Sequence, residues 1–238
     1  AIEKDRDQWL LATKFGHKFH EAFERDVVYD PKLVEQQLED SLKALRTDYV
    51  DLYQFHSGSD EDFETPGLWE MLDRMKQSGK VRHLGVSIGA NTNIHQTRKA
   101  PDVGAEAIQV VYNRLDRAPE QEVLPACEEL NLGVLARVPL ASGYLSGKYT
   151  PDDADKFADN DVRSKWHGVE KARASLEEAQ KIKQTEVPED VPMAQWALAW
   201  CLTNAAVTCV IPGCKSVEQV ASNAAAADLD MVKGESHP

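Results

Sequence analysis

Residues 31–56 read PKLVEQQLEDSLKALRTDYVDLYQFH, and this stretch decides the fold class. A helix is predicted from Pro31 to Leu45, because Asp30 is a good N-cap, proline suits the first helical position, and apolar residues recur at helical spacing. A strand is predicted at 50–56 (VDLYQFH), where apolar residues follow one another without strict alternation. Such strands are buried on both faces, which is typical of a parallel sheet.

The same alternation of strand and helix recurs along the whole chain. Short apolar runs predict six strands, at residues 9–14, 50–56, 81–88, 107–113, 133–140 and 208–213. Helical patterns fill the intervals, at residues 31–45, 68–78, 119–130, 166–185, 192–204 and 216–227. This order is typical of either an open doubly wound sheet or a (β/α) barrel. No linker divides the chain, and residues 150–163 are predicted to form a long loop that covers the site.

Two observations favour the barrel over the open sheet. An open nucleotide-binding sheet carries G-x-G-x-x-G after its first strand, and the sequence contains no such run. Polar residues instead follow most of the predicted strands, namely Lys14, His56, Ser87, Asn113, Ser142 and Lys215. A site spread over many strand ends is typical of barrels. A complete barrel has eight strands, of which six are found.

The composition excludes several classes of partner. The 238 residues include 27 lysines and arginines and 40 aspartates and glutamates, a formal net charge of −13, which argues against a chain-wide grip on nucleic acid or anionic lipid. No apolar run approaches the ~20 residues of a membrane span. The four cysteines show no CxxC spacing, so we expect free thiols in a cytoplasmic protein. The expected partner is a small molecule, and the oligomeric state stays open.

Two strand ends carry residues whose side chains can take part in catalysis. Lys14 is either a lysine whose stem extends from the rim, or a cation that lowers the pKa of a neighbouring acid or forms a Schiff base. His56 is either structural or a group that polarises a carbonyl and moves a proton. His17 and His20 form an H-x-x-H pair without a third ligand, so we predict no metal site.

The segment GYLSGKY at residues 143–149 is a candidate phosphate loop. It lacks the spacing and the terminal hydroxyl of G-x-x-x-x-G-K-[ST], so it is not a P-loop. Its glycines, with Ser142, Ser146 and Lys148, can still surround the phosphates of a dinucleotide through backbone N–H groups.

Six runs, taken in order and spacing, resemble those of bacterial aldo-keto reductases. They are LLATKFG, SLKALRTDYVDLYQFH, GKVRHLGVSIG, IQVVYNRLDR, GVLARVPLASGYLSGKY and VIPGCKSVEQVASN. The resemblance covers almost the whole chain. The resemblance implies an α/β fold of the (β/α)8 TIM-barrel type. It also implies reduction of aldehydes or ketones to alcohols, with NADPH bound across the C-terminal face of the strands.

The resemblance assigns roles to individual residues. Lys14 corresponds to the lysine that lowers the pKa of a catalytic tyrosine, and His56 to the histidine that orients the carbonyl. Ser87 and Gln109 correspond to residues that bind the nicotinamide carboxamide. The remaining cofactor residues that the resemblance implies are Arg137 under the nicotinamide, Leu140, Ser142, Lys148 and Arg163 around the pyrophosphate, and Gly213, Lys215, Gln219 and Asn223 at the adenosine end. Lys215 then favours NADP over NAD by its charge, unless it is only a solvated residue at a helix start.

The sequence departs from the family pattern in two places. Ile88 stands where the family usually has an asparagine, which weakens one expected carboxamide contact. The family's first two strands, with the catalytic aspartate and tyrosine, have no counterpart before Lys14. We therefore expect residues 1–238 to be a single barrel domain truncated at its N-terminus, whose own residues lack the proton donor. The alternative is an NADPH-binding regulatory subunit like the potassium-channel β-subunits, which share this fold.

Overall fold

The computed structural model describes residues 4–21 and 24–229, which group into two compact units. Of these described residues, the first unit comprises 4–21, 24–110 and 122–134, and the second comprises 111–121 and 135–229. All six predicted strands are present, and each pairs in parallel with a neighbour. The predicted α/β class with a parallel sheet is confirmed.

The first unit holds most of the sheet. Its elements are β1 (Ala12–Phe15), β2 (His17–Glu21), β3 (Glu24–Val27), α1 (Pro31–Leu45), β4 (Val50–His56), α2 (Asp60–Phe63), α3 (Leu68–Gln77), β5 (Val81–Ser87), α4 (Ile94–Lys99), β6 (Ala105–Val111) and α5 (Val123–Glu129). The parallel strands follow the order β1-β4-β5-β6, while β2 and β3 form a separate antiparallel hairpin. Crossover helices between parallel strands are the connection such sheets require.

Helix α1 forms where the sequence predicts it. Asp30 Oδ1 accepts hydrogen bonds from the amides of Lys32 and Leu33, at 3.0 and 3.2 Å, and so caps the first turn. The helix ends at Arg46, which adopts the left-handed conformation. Its apolar stripe is narrower than predicted, because Leu33 and Leu45 are exposed while the residues between them at helical spacing are buried.

The core of the first unit lies between β4 and α1. Tyr53 and Phe55 are fully buried, and the ring of Phe15 lies 4.9 Å from that of Tyr53. Successive residues of a strand point to opposite faces, so Gln54 and His56 lie on the other face of β4. Gln54 is also fully buried, as expected for a strand covered on both sides.

Several strand boundaries were wrong in the sequence interpretation, and three of them have a clear physical reason. Strand β1 begins at Ala12 rather than at residue 9, because Trp9 and Leu10 are exposed and pairing with β4 begins at the carbonyl of Leu11. Strand β7 (Gly133–Arg137) ends early because Val138 has a φ of +56°, which no regular strand accommodates. Strand β6 ends at residue 111, before the turn described next.

Asn113, a polar residue that follows a predicted strand, stabilises a turn, and we do not assign it to the site. Its side-chain Nδ2 donates to the carbonyl of Val138 at 3.1 Å, and its Oδ1 accepts from the amides of Leu115 and Asp116 at 2.9 and 3.0 Å. An asparagine that bonds the backbone two and three residues further along stabilises a tight turn. The asparagine of the run IQVVYNRLDR is therefore explained by local structure.

The second unit contains the rest of β7, then α6 (Gly168–Thr185), α7 (Met193–Leu202), β8 (Cys209–Ile211) and α8 (Val217–Ala224). Strand β7 pairs in parallel with β8, with Leu135–Arg137 opposite Cys209–Ile211. Most residues of α7 are buried, including the fully buried Trp200. The predicted long loop contains one 3-10 turn, Pro151–Asp153, and leads into a π turn at Arg163–His167.

All four cysteines are free thiols, as predicted. Burial raises the pKa values of Cys127 and Cys201 to about 12, so both are inert at neutral pH. Across the part of the chain that the structure describes, no helix combines the length and apolarity that crossing a bilayer requires.

Candidate active site

Three predicted site residues form one row at the carboxyl ends of adjacent strands. His56, Ser87 and Gln109 are register partners on β4, β5 and β6. Ser87 and Gln109 are buried, and Gln109 Nε2 donates to Ser87 Oγ at 3.3 Å. Gln109 Oε1 is buried and has no hydrogen-bond partner among the described residues. A buried amide oxygen without a partner costs free energy, so this atom is suited to accept from a ligand's N–H group.

Lys14 lies on the same face of the sheet as that row. It is paired in register with Gln54 on β4, and register partners in a parallel pair point to one side. His56 is two residues beyond Gln54, so it shares this face. The lysine is half-buried near the end of β1. The structure thus brings Lys14, His56, Ser87 and Gln109 to one edge of one sheet.

Tyr29 supports the end of β4, and sequence reasoning gave it no role. Its hydroxyl donates to the carbonyl of His56 at 2.7 Å, and its ring stacks on Phe55 with centroids 4.6 Å apart. The ring fits only because residues 16 and 58 are glycines: a Cβ on Gly16 would lie 2.2 Å from the Tyr29 ring, and one on Gly58 would lie 2.7 Å from it. The backbone that carries His56 is therefore held by a buried aromatic residue.

Tyr29 does not replace the catalytic tyrosine that the family resemblance implies. Burial raises the pKa of Tyr29, the nearby carboxylate of Asp62 raises it further, and Arg25 only partly opposes this rise. Its hydroxyl proton is also committed to a backbone carbonyl. A general acid needs a pKa near the working pH, so Tyr29 has a structural role.

Gly16→Ala is expected to destabilise the protein more than Gly79→Ala does. Both glycines have positive φ, at 101° and 80°, so both variants carry backbone strain. A Cβ at residue 79 meets nothing within 4 Å, whereas one at residue 16 collides with Tyr29. Urea denaturation should show an additional loss of about 1–3 kcal/mol for Gly16→Ala, the usual range for overpacking. Equal losses would mean that Tyr29 is not wedged against Gly16.

The two histidines of the H-x-x-H pair have different surroundings. Positions three apart in a strand point to opposite faces. His20 is exposed, and its Nε2 lies 2.7 Å from Asp26 Oδ2. His17 instead places its ring 4.2 Å from the ring of His56. No group of three potential metal ligands occurs within residues 4–21 and 24–229.

In the second unit, the segment after β7 has an unusual backbone. Val138, Ala141 and Ser142 have φ values of +56°, +47° and +57°, and Gly143 has +93°. Non-glycine residues with positive φ are uncommon and cluster at functional sites. Arg137, the last residue of β7, is half-buried, and burial lowers its pKa. Leu140 and Ser142 are partly exposed within this strained segment.

Arg163 lies against the same loop. It forms an ion pair with Asp161, at 2.6 Å between Nη2 and Oδ2, and its guanidinium stacks 3.8 Å from the ring of Phe157 and 4.6 Å from that of Tyr149. An added Cβ on Gly143 would lie 3.6 Å from Arg163 Nη1. The ion pair, opposed by burial, lowers the pKa of Asp161 to about 2. Lys148, on the same loop, is exposed and lies 5.3 Å from the Tyr149 ring.

The residues predicted for the adenosine end gather at the start of α8. Gln219 Oε1 accepts from the backbone amide of Lys215 at 2.7 Å, and Ser216 caps the helix. Asn223 Nδ2 donates to Cys214 Sγ at 3.1 Å. The side chains of Lys215 and Gln219 and the backbone of Gly213 are exposed. The helix start therefore presents a cation and amides to an incoming group.

In each unit, the hydrogen-bonding and charged side chains fit a different part of a nicotinamide dinucleotide. In the first unit, a buried amide oxygen at Gln109 and the hydroxyl of Ser87 suit a carboxamide. In the second unit, three cations, Lys148, Arg163 and Lys215, stand at or beside loops that suit phosphates. Ile88 is fully buried, so it adds no polar contact to the first unit's site. Sequence reasoning missed Tyr29, His17 and Asp161, although Gly16 and Gly58 are a signal of close packing around residue 29.

The comparisons with known proteins agree with this reading. The model of the Aldo/keto reductase family matches residues 1–236. The chain is 32% identical over 232 residues to the uncharacterized oxidoreductase YqkF of Bacillus subtilis, covering 96% of this chain and 71% of that protein. It is 33% identical over 227 residues to the aldo-keto reductase yakc [NADP(+)] of Schizosaccharomyces pombe, covering 92% and 64%. It is 29% identical over 248 residues to the NADH-specific methylglyoxal reductase of Escherichia coli, covering 97% and 73%.

A solved structure gives the same result. The holo form of aldo-keto reductase AKR11C1 from Bacillus halodurans matches with a TM-score of 0.76 and 27% identity, covering 96% of this chain and 70% of that one. The chain belongs to the aldo/keto reductase family, and the predicted family and oxidoreductase class are confirmed. It spans between 64% and 73% of the length of the three curated relatives described above.

Proposed function

We propose that the protein reduces aldehydes or ketones to alcohols with NADPH, and that its six strands belong to a (β/α)8 barrel. The observation that carries the proposal is the row of His56, Ser87 and Gln109, with Lys14 on the same face. Family membership supports it independently. Residues from four adjacent strands that meet at their carboxyl ends are the usual arrangement of a barrel active site.

Each residue of the first unit has a definite task. His56 donates a hydrogen bond to the carbonyl oxygen of the substrate and so increases the positive character of the carbonyl carbon. The ammonium of Lys14 lowers the pKa of the tyrosine that the family uses as proton donor. When bound, the nicotinamide supplies the hydride. Ser87 and Gln109 bind its carboxamide, and Gln109 Oε1 accepts the amide N–H.

In the second unit, we propose that Arg137 contacts the nicotinamide, and that Leu140, Ser142, Lys148 and Arg163 surround the pyrophosphate. Gly213, Lys215, Gln219 and Asn223 hold the adenosine end. The positive charge of Lys215 favours a 2′-phosphate, and the relative from S. pombe carries NADP(+) in its name. The E. coli relative is named NADH-specific, so cofactor preference must be tested in this chain.

Lys215→Ala is expected to weaken NADPH binding more than NADH binding. Removing one charge-assisted hydrogen bond to the 2′-phosphate should raise the Kd for NADPH about 10-fold or more, since such bonds contribute about 1.5–3 kcal/mol. NADH lacks that phosphate, so its Kd should change little. The measurement is a fluorescence titration with each cofactor. Lys181→Ala, an exposed lysine on α6, is the control. Equal weakening of both cofactors would remove the assignment of Lys215.

The activity itself is tested by steady-state NADPH oxidation with a panel of small aldehydes and ketones. The intact gene product should consume NADPH only when a carbonyl compound is present, and it should form the matching alcohol. Folded protein that retains NADPH but turns over no member of the panel would contradict the proposal. That outcome would favour the regulatory-subunit alternative.

A further inference from the structure

His17 and His56 form a close, tilted pair of imidazoles. His17 is the first residue of β2, directly after Gly16, whose φ of +101° turns the chain back toward β4. The two imidazole centroids are 4.2 Å apart, and their planes are inclined by 40°. Phe19, two residues along the same face of β2, packs edge-on against His17 with centroids 6.1 Å apart. The turn thus places an aromatic ring in close, tilted contact with the side chain of His56.

His17 is held by packing and stays neutral. Burial lowers its pKa, and the guanidinium of Arg25 on β3 lowers it further. Its Nδ1 is buried without a hydrogen-bond partner among the described residues.

We propose that His17 is a positioning residue for His56. The proposal rests on the carbonyl reduction proposed above. Tyr29 fixes the backbone of His56 through its carbonyl, whereas the His17 ring contacts the imidazole itself and fixes its plane. A fixed plane aims the ring N–H at the carbonyl oxygen, and loss of that aim reduces the rate without changing cofactor binding. Among charged side chains, Arg25 on β3 acts on His17, and Lys14 on β1 lies on the same face of the sheet as His56.

The test uses two substitutions and two readouts. His17→Ala removes the ring, whereas His17→Phe keeps an aromatic face but removes both nitrogens. In imidazole NMR spectra, with the signals of His56 assigned by His56→Gln, His17→Ala should shift those signals because it removes the neighbouring ring current. His17→Phe should retain most of the ring-current effect. In kinetics, His17→Ala should lower kcat by about 10-fold with the KM for NADPH unchanged, and His17→Phe should restore most of the rate.

His20→Ala is the matched control, because His20 lies on the same strand but is exposed and paired with Asp26. It should leave both readouts unchanged. Unshifted His56 signals in His17→Ala would overturn the proposal. So would a His17→Phe variant that keeps the ring-current effect but is as slow as His17→Ala. Wild-type protein without any carbonyl reduction would instead refute the proposed function, while the NMR readout would still decide whether the rings are in contact.

Discussion

Lys14→Met is expected to lower the rate of carbonyl reduction by about 100-fold or more, while the Kd for NADPH stays nearly constant. Methionine keeps the length and the packing of the lysine stem but removes the charge. That charge acts on the acidity of the proton donor, which matters in the transition state and not in the binding of the cofactor. The measurement is kcat/KM for one aldehyde together with a fluorescence titration of NADPH.

The control for Lys14→Met is Lys18→Met, because Lys18 is an exposed lysine on β2, four residues away. Its variant should retain wild-type kinetics. A Lys14→Met variant that loses NADPH affinity as strongly as it loses rate would show that Lys14 anchors the cofactor. A variant with full activity would show that the lysine is only part of the rim.

Asp51 lies at the start of β4 and holds the chain that precedes β1. It is 4% exposed. Its Oδ2 accepts from Arg6 at 2.8 Å and from the amide of Leu11 at 2.9 Å, and its Oδ1 accepts from Arg82 at 3.0 Å. Both guanidinium groups also contact the Tyr49 ring, with their central carbons 3.9 and 4.0 Å from its centroid.

Asp51→Ala is expected to reduce the free energy of unfolding by about 3–5 kcal/mol, the usual effect of removing one partner from a buried ion pair. Arg6 would remain mostly buried without its counter-charge, and the Leu11 amide would lose its acceptor. Urea denaturation measures this loss. Glu129→Ala is the control, since its ion pair with Arg98 is exposed and should contribute less than about 1 kcal/mol. Similar losses in both variants would contradict the role of Asp51.

The same network makes stability depend on pH in a defined direction. Burial raises the pKa of Asp51, but the Leu11 amide and the two arginines outweigh it and hold the pKa below its ordinary value. A depressed pKa in the folded state contributes stability above the unfolded pKa of about 3.9, and this contribution is lost as the pH falls through the folded pKa. The Asp51→Ala variant should therefore lose less stability than wild type between neutral and acidic pH.

Much of the fold follows from the sequence because local signals agree with tertiary structure. The Asp30–Pro31 start predicted the beginning of α1, and the lack of strict apolar–polar alternation in β4 predicted burial on both faces. Strand ends were less predictable. Trp9 and Leu10 are apolar yet exposed, and the early end of β7 depends on the left-handed backbone at Val138. The hairpin of β2 and β3 was missed because HKFHE and ERDV are too charged to resemble strands.

The candidate site, like the fold, was predictable from the sequence only in part. His56 and Ser87 could be selected because each stands at or near a predicted strand end, and Gln109 because the family resemblance implies it. Parallel register then brings the three together. The roles of Tyr29 and His17 depend on contacts between segments that local patterns do not encode. The turn at Gly16 and the close packing against Gly58 create those contacts.

Transfer of deuterium from NADPH that carries deuterium at both C4 positions of its nicotinamide tests the central claim most directly. The intact gene product is incubated with the labelled cofactor and an aldehyde, and the alcohol is analysed by mass spectrometry. We expect one deuterium on the carbon that was the carbonyl carbon, and none in a reaction without the protein. Alcohol without the label, or labelled NADPH that is retained and never consumed, would contradict the account.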